Sequence, residues 1–184
     1  MQLLANKEDF TTSLEKALDE LDSNWRGYPG LIISGTHTPT DVAEKIAKIK
    51  EARWNKIPLL GICFGMQLMA IEYAQNVLGK IRANSTEIDS DTNFPVVVKL
   101  NDLRVGMKPT LDFDGIQHME SFWHNYKINN EYIGQFAKDW KFAQTYDSDL
   151  GESIVDYMVY KPSVLDYGVV HMGIQYHPEY QSSK

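Results

Sequence analysis

The chain has 184 residues, of which 43% are hydrophobic and 23% charged, an ordinary globular balance that excludes disordered and fibrous classes. Lys and Arg number 18 against 25 Asp and Glu, and the resulting charge of −7 argues against nucleic acid or an anionic membrane as the main partner. A single cysteine excludes an internal disulfide, no secretory signal opens the chain, and no run of about 18 apolar residues occurs, so a cytoplasmic protein without a membrane span is expected.

Residues 1–184 read as a single domain, with no internal repeat and no Pro/Gly/Ser-rich linker. Residues 1–5 have strand character. Residues 9–21 predict a helix with Phe10, Leu14, Leu18 and Leu21 on one face. Residues 30–35 predict a buried strand entering a turn. Residues 41–54 predict a helix, with Asp41 and Glu44 as a capping box and Val42, Ile46 and Ile49 as its apolar stripe. A second buried strand over 57–62 runs almost directly into a helix over 65–77, stopped by Leu78 and Gly79. Strands follow over 95–100, 153–160 and 167–176. The early alternation of strand and helix predicts an α/β fold, a three-layer sandwich with a mostly parallel central sheet flanked by helices. The strand-rich later part predicts a second, antiparallel layer or an added edge.

The run Gly61-Ile62-Cys63-Phe64-Gly65 places a nucleophilic side chain where a buried strand gives way to a helix, with glycines two positions to either side. A sharp strand-to-helix turn needs small residues there, as in the serine nucleophile elbow. The bend lifts the thiol from the core toward the positive end of the helix, which favours thiolate. It also leaves the Phe64 N–H free to donate to an oxyanion. The alternative use of a lone cysteine is as a small buried hydrophobe.

Near the C-terminus stands Gln175-Tyr176-His177-Pro178-Glu179. Pro178 biases His177 toward an extended backbone, and residues two apart in an extended run share a side. The Glu179 carboxylate then reaches the His177 imidazole, fixing its tautomer and supporting imidazolium. Cysteine, histidine and an orienting carboxylate are what thiol-based acyl transfer requires. An exposed turn is the plain alternative for His-Pro-Glu. The five histidines have no metal-ligand spacing, so neither a metal nor another cofactor is expected.

These segments resemble the class I glutamine amidotransferases, and within them the glutaminase domain of CTP synthase. The resemblance is carried by the run from Pro58 to Ala74 around Cys63, by Ala83-Asn84-Ser85-Thr86-Glu87, by Phe94 to Val98, by Leu103-Arg104-Val105-Gly106, by His124 to Asn130, and by Gln175 to Tyr180. Residues 1–27 match weakly. The resemblance implies a flavodoxin-like sandwich, glutamine as substrate, and a Cys63, His177, Glu179 triad that forms a glutamyl thioester and releases ammonia. It implies an oxyanion site at the Phe64 N–H and at the Gly35-Thr36 turn. It also implies contacts to the amino-acid end of glutamine from Gln67, Glu87, and the backbone around Asn125 and Tyr126.

Several residues depart from the family pattern. A Gly-Gly run usual in the oxyanion loop is replaced by Ser34-Gly35-Thr36-His37-Thr38, and a β-branched residue resists positive φ. Loss of one oxyanion donor costs about 10²–10³ in rate. Asn125 stands where the family has arginine. No Gly-x-x-x-x-Gly-Lys-Ser/Thr loop is present, so the ammonia would serve a separate synthetase or aminating enzyme. The other readings are a hydrolase of a different γ-glutamyl or small amide, and a regulatory module that kept the fold without the rate.

Overall fold

The computed structural model describes residues 1–4, 9–162 and 168–180. In chain order these form β1 (Gln2–Leu4), α1 (Asp9–Leu21), β2 (Leu31–Ile33), α2 (Val42–Asn55), β3 (Leu59–Ile62), α3 (Phe64–Asn76) and β4 (Ala83–Ser85). Then follow β5 (Phe94–Leu111), β6 (Gln117–Ile128), α4 (Asn130–Phe136), β7 (Trp140–Asp147), β8 (Glu152–Tyr160) and β9 (His171–Ile174), with a 3-10 turn at Pro178–Tyr180. The central sheet has the strand order β1-β2-β3-β9-β8-β7. Its first four strands are parallel, and β8 and β7 extend it antiparallel.

The strands are buried on both faces, as a parallel sheet requires. Leu31, Ile33 and Leu59 face α2 and α3, while Ile32 and Ile62 face Leu14 of α1. Helices on both faces make the three-layer α/β sandwich that the alternation of elements predicts. In α3, Phe64 through Ala74 are all buried. This helix is apolar around its circumference because a second sheet, β4-β5-β6, covers its outer side with Ala83, Val96, Val97 and Ile128.

The structure corrects several local expectations. Asp41 adopts left-handed backbone (φ 51°) and makes no side-chain cap, so the Asp41–Glu44 capping box does not form. Leu21 is exposed rather than part of the α1 stripe. The last strand spans only His171–Ile174, and Tyr176 lies past it in a bend. Ala5, Tyr167 and the Phe10 side chain lie outside the described residues.

The strand expected over 95–100 continues to Leu111 and pairs with β6 as a long antiparallel hairpin. Its outer half lacks an apolar signal because the side chain that anchors it is Arg104. That guanidinium is 1% exposed, donates to Asp147 Oδ2 at 3.0 Å and to Asp156, and lies 3.8 Å from the Phe122 ring centroid. Removing one partner of such a buried ionic set is costly, so it fixes the hairpin to β7 and β8.

The junction of β2 with α3 depends on Gly65, where an added Cβ would stand 2.2 Å from the Ile33 carbonyl oxygen. Both atoms in that contact are set by backbone, so the helix would have to move away from the sheet. Gly65→Ala is expected to lower unfolding stability by roughly 1–3 kcal/mol, read as a fall in the urea midpoint. An unchanged midpoint would contradict this packing.

Candidate active site

A single residue, Cys63, separates β3 from α3. Its backbone is at φ 51° and ψ −104°, a conformation costing a non-glycine residue on the order of 1–3 kcal/mol. The turn is held by the Cys63 N–H donating to Ile174 O at 2.7 Å and by the Gln67 N–H donating to Cys63 O at 3.2 Å. Crowding explains the flanking glycine at 61, where a Cβ would lie 2.6 Å from Gly65 C. Cys63 is 5% exposed and packs with Ile62 and Ile174, so the thiol is not lifted clear of the core but is reached through a cleft.

His177 and Glu179 lie on the segment that follows β9 directly. The His177 N–H donates to Ser121 O at 2.7 Å, tying this segment to β6. Glu179 sits in the 3-10 turn rather than in an extended run, and its Oε1 still lies 2.7 Å from His177 Nδ1. That contact places the proton on Nδ1 and leaves Nε2 for the hydrogen bond between His177 and Cys63. Burial disfavours the imidazolium. The charge and hydrogen bond of Cys63, followed by those of Glu179, outweigh it and push His177 up to about 10. Gly35 permits this assembly, since a Cβ there would fall 2.7 Å from His177 Cε1 and 3.3 Å from Cys63 Cβ.

A cleft of about 150 Å³ opens over the thiol. Thr36, Phe64, Gln67, Glu87, Asn125 and Tyr126 all line it, so the structure gathers the residues singled out in the sequence around Cys63. The Phe64 N–H donates to no described residue. Thr36 is not among the positive-φ residues, so its β-branched side chain meets no left-handed backbone strain. Its Oγ1 closes a small turn, donating to Thr38 O at 3.0 Å and accepting from Thr38 N at 2.9 Å. Glu87 is half-buried, and burial alone pushes its carboxyl up to about 7. Asn125 is exposed at the rim. No group of His, Cys, Asp or Glu suited to a metal occurs among the described residues.

Sequence reasoning passed over three contributors. Gln175, fully buried, donates from Nε2 to Cys63 Sγ at 3.4 Å. His124 donates from Nδ1 to Tyr126 O at 2.8 Å, and burial lowers it to about 3, so it is a neutral acceptor at Nε2, buried with no partner among the described residues. Trp123 stands at the cleft mouth, its ring 5.5 Å from that of His37. The spacing Gln175-x-His177 carries a signal for the first, and the alternation Phe122, His124 inward against Trp123 outward carries one for the others.

The family model for "Glutamine amidotransferase class-I" matches residues 5–184. Among curated proteins, CTP synthase of Thermotoga maritima is 34% identical over 98% of this chain and 36% of its own length. CTP synthase of Thermosipho africanus is 38% identical over 92% of this chain and 35% of its own length. The chain thus spans about a third of these relatives. Among solved structures, the Trypanosoma brucei CTPS glutaminase domain with bound acivicin superposes with a TM-score of 0.82 at 20% identity, covering 97% of this chain and 85% of that one. A glutamine amidotransferase from Thermotoga maritima gives 0.57 at 15% identity, covering 96% of this chain and 75% of that one. With the family match spanning nearly its whole length, the chain belongs to the class I glutamine amidotransferase family.

Proposed function

We propose that the chain is a glutaminase that hydrolyses the side-chain amide of glutamine and supplies ammonia to a synthetase lying outside this sequence. The observation that carries the reading is the alignment of Cys63, His177 and Glu179 beneath a cleft rimmed by acceptors. The thiol proton already rests on His177 Nε2, held there beside the sulfur and Glu179, and Cys63 attacks the amide carbon as the thiolate. The oxyanion so formed accepts from the Phe64 N–H and from an amide of the Gly35-Thr36 turn. His177 returns the proton to the leaving nitrogen, ammonia departs, and a glutamyl thioester remains. Water then attacks, His177 takes and keeps its proton, and glutamate leaves as the sulfur departs as thiolate, which restores the ion pair. Glu179 keeps the imidazole in its tautomer and supports its charge throughout.

The receiving enzyme is inferred from the CTP synthase relatives, whose remaining two thirds this chain does not contain. Above the cleft, the solvent face of the β5–β6 hairpin exposes Val105, Met107, Met119 and Trp123. No described helix is long and apolar enough to cross a membrane. A reducing cytoplasm is the compartment in which a lone nucleophilic thiol stays free. Glutamate release by the purified chain, with and without the candidate synthetase, is the test of this reading. Turnover that falls to background in Cys63→Ala is expected. Equal release by both proteins, or none under either condition, would overturn it.

Glu87 supplies a pH signature. Its folded pKa of about 7 lies above the ordinary 4.5, so the free protein favours the neutral acid. The associated stability is fully present below about pH 4.5 and is lost as pH rises through 7. Binding of the glutamine ammonium needs the carboxylate instead, so affinity should strengthen about tenfold between pH 6 and 8. Calorimetry on Cys63→Ala, which binds glutamine without consuming it, reads this directly. Adding Glu87→Gln should weaken binding and flatten the profile, and a profile that keeps its slope would remove Glu87 from the ammonium site.

A further inference from the structure

Gln175 takes no proton and lines no part of the cleft, yet its side chain meets the nucleophile. It is fully buried, and its N–H donates to Asp156 O at 2.9 Å, which fixes the backbone against β8. Its Oε1 accepts from Gln67 Nε2 at 3.4 Å, and its Nε2 donates to Cys63 Sγ at 3.4 Å. Gln67 is oriented in turn, because its Nε2 also donates to Tyr126 O at 3.0 Å. With its nitrogen between two acceptors, Gln67 leaves Oε1 buried and without a partner among the described residues. The two amides therefore form a directed chain from the substrate cleft to the sulfur.

We propose that Gln175 is a positioning residue that donates a hydrogen bond to the Cys63 sulfur and favours its thiolate, with Gln67 holding that donor in place. The proposal rests on the glutaminase reading and adds a determinant of the nucleophile's charge. A neutral thiol is a weak acceptor, whereas a thiolate is a strong one, so an N–H aimed at sulfur stabilises the anion selectively. The same bond tempers the nucleophilicity of the anion, since a thiolate of lower pKa attacks less strongly. Removing the donor should therefore move the titration of the thiol without slowing the thiolate itself.

The test is the pH dependence of Cys63 alkylation by iodoacetamide in the full chain. Because Cys63 is the sole cysteine, the rate reports this residue alone. Gln175→Met is expected to raise the midpoint by about 0.5–1 pH unit, slowing alkylation roughly 3–10-fold below it. The high-pH plateau should be at least as fast as in the parent protein. Gln175→Leu, smaller and likewise without a donor, should raise the midpoint by a similar amount. This second variant decides the matter if the first does not fold. A purely structural Gln175 would slow alkylation at every pH around an unmoved midpoint, and that result in a folded variant overturns the proposal. Iodoacetamide reads the thiol without glutamine, so absent glutamine turnover counts against the proposed function, and a stationary midpoint counts against Gln175.

Discussion

A positive-φ cysteine held between β3 and α3 sets the terms for the surrounding structure. The bend admits no Cβ at Gly61 or Gly65, and the strand-to-helix spacing is fixed by the approach of Gly65 to the Ile33 carbonyl. It brings Gly35, Cys63 and His177 so close that the loop after β2 must also present a glycine. Packing on every side over-determines the strained residue, which is the condition under which strain of about 1–3 kcal/mol persists. The α3 helix that starts at the cysteine is correspondingly buried all round, clamped between the central sheet and the smaller sheet.

Around that bend the polar groups are divided by environment. His177 has a carboxylate on one nitrogen and the cysteine sulfur on the other, and it is pushed up to about 10. His124 has a backbone carbonyl as its hydrogen-bond partner among the described residues, with burial and then the Arg104 and His177 charges acting against its protonation, and it falls to about 3. Two histidines in one small site are thus driven to different protonation states, one cationic and one neutral, the pattern expected where one must carry protons and the other must not. The neutral His124, the free oxygen of Gln67 and Glu87 give the cleft an excess of acceptors. Such a lining suits a ligand rich in donors, which the ammonium end of an amino acid is.

Much of this architecture is legible in the sequence. The apolar runs at 31–33 and 59–62 are continuous because both faces of a parallel sheet are covered, and the glycine pair around Cys63 marks the bend. Cys63, His177, Glu179 and the residues that line the cleft stand within motifs singled out in the sequence. The hairpin is not, because its inward-facing anchors include Arg104 and His124 rather than apolar side chains, and period-two hydrophobicity fails there. Asp41 departs from its capping pattern because a capping residue takes extended backbone and Asp41 is left-handed. Gln175 stands inside a legible motif, but its contact with sulfur joins residues 112 positions apart and has no local signature.

In the proposed reading, Cys63 is preassembled as a nucleophile beneath a cleft shaped for glutamine. Covalent labelling of the purified chain by an electrophilic glutamine analogue, followed by peptide mapping, probes both halves of that statement at once. Stoichiometric modification of Cys63 is expected, suppressed by excess glutamine and not by excess asparagine, whose shorter side chain leaves the amide carbon out of reach. Absence of labelling in folded protein, or labelling that glutamine does not suppress, would show the reading to be wrong.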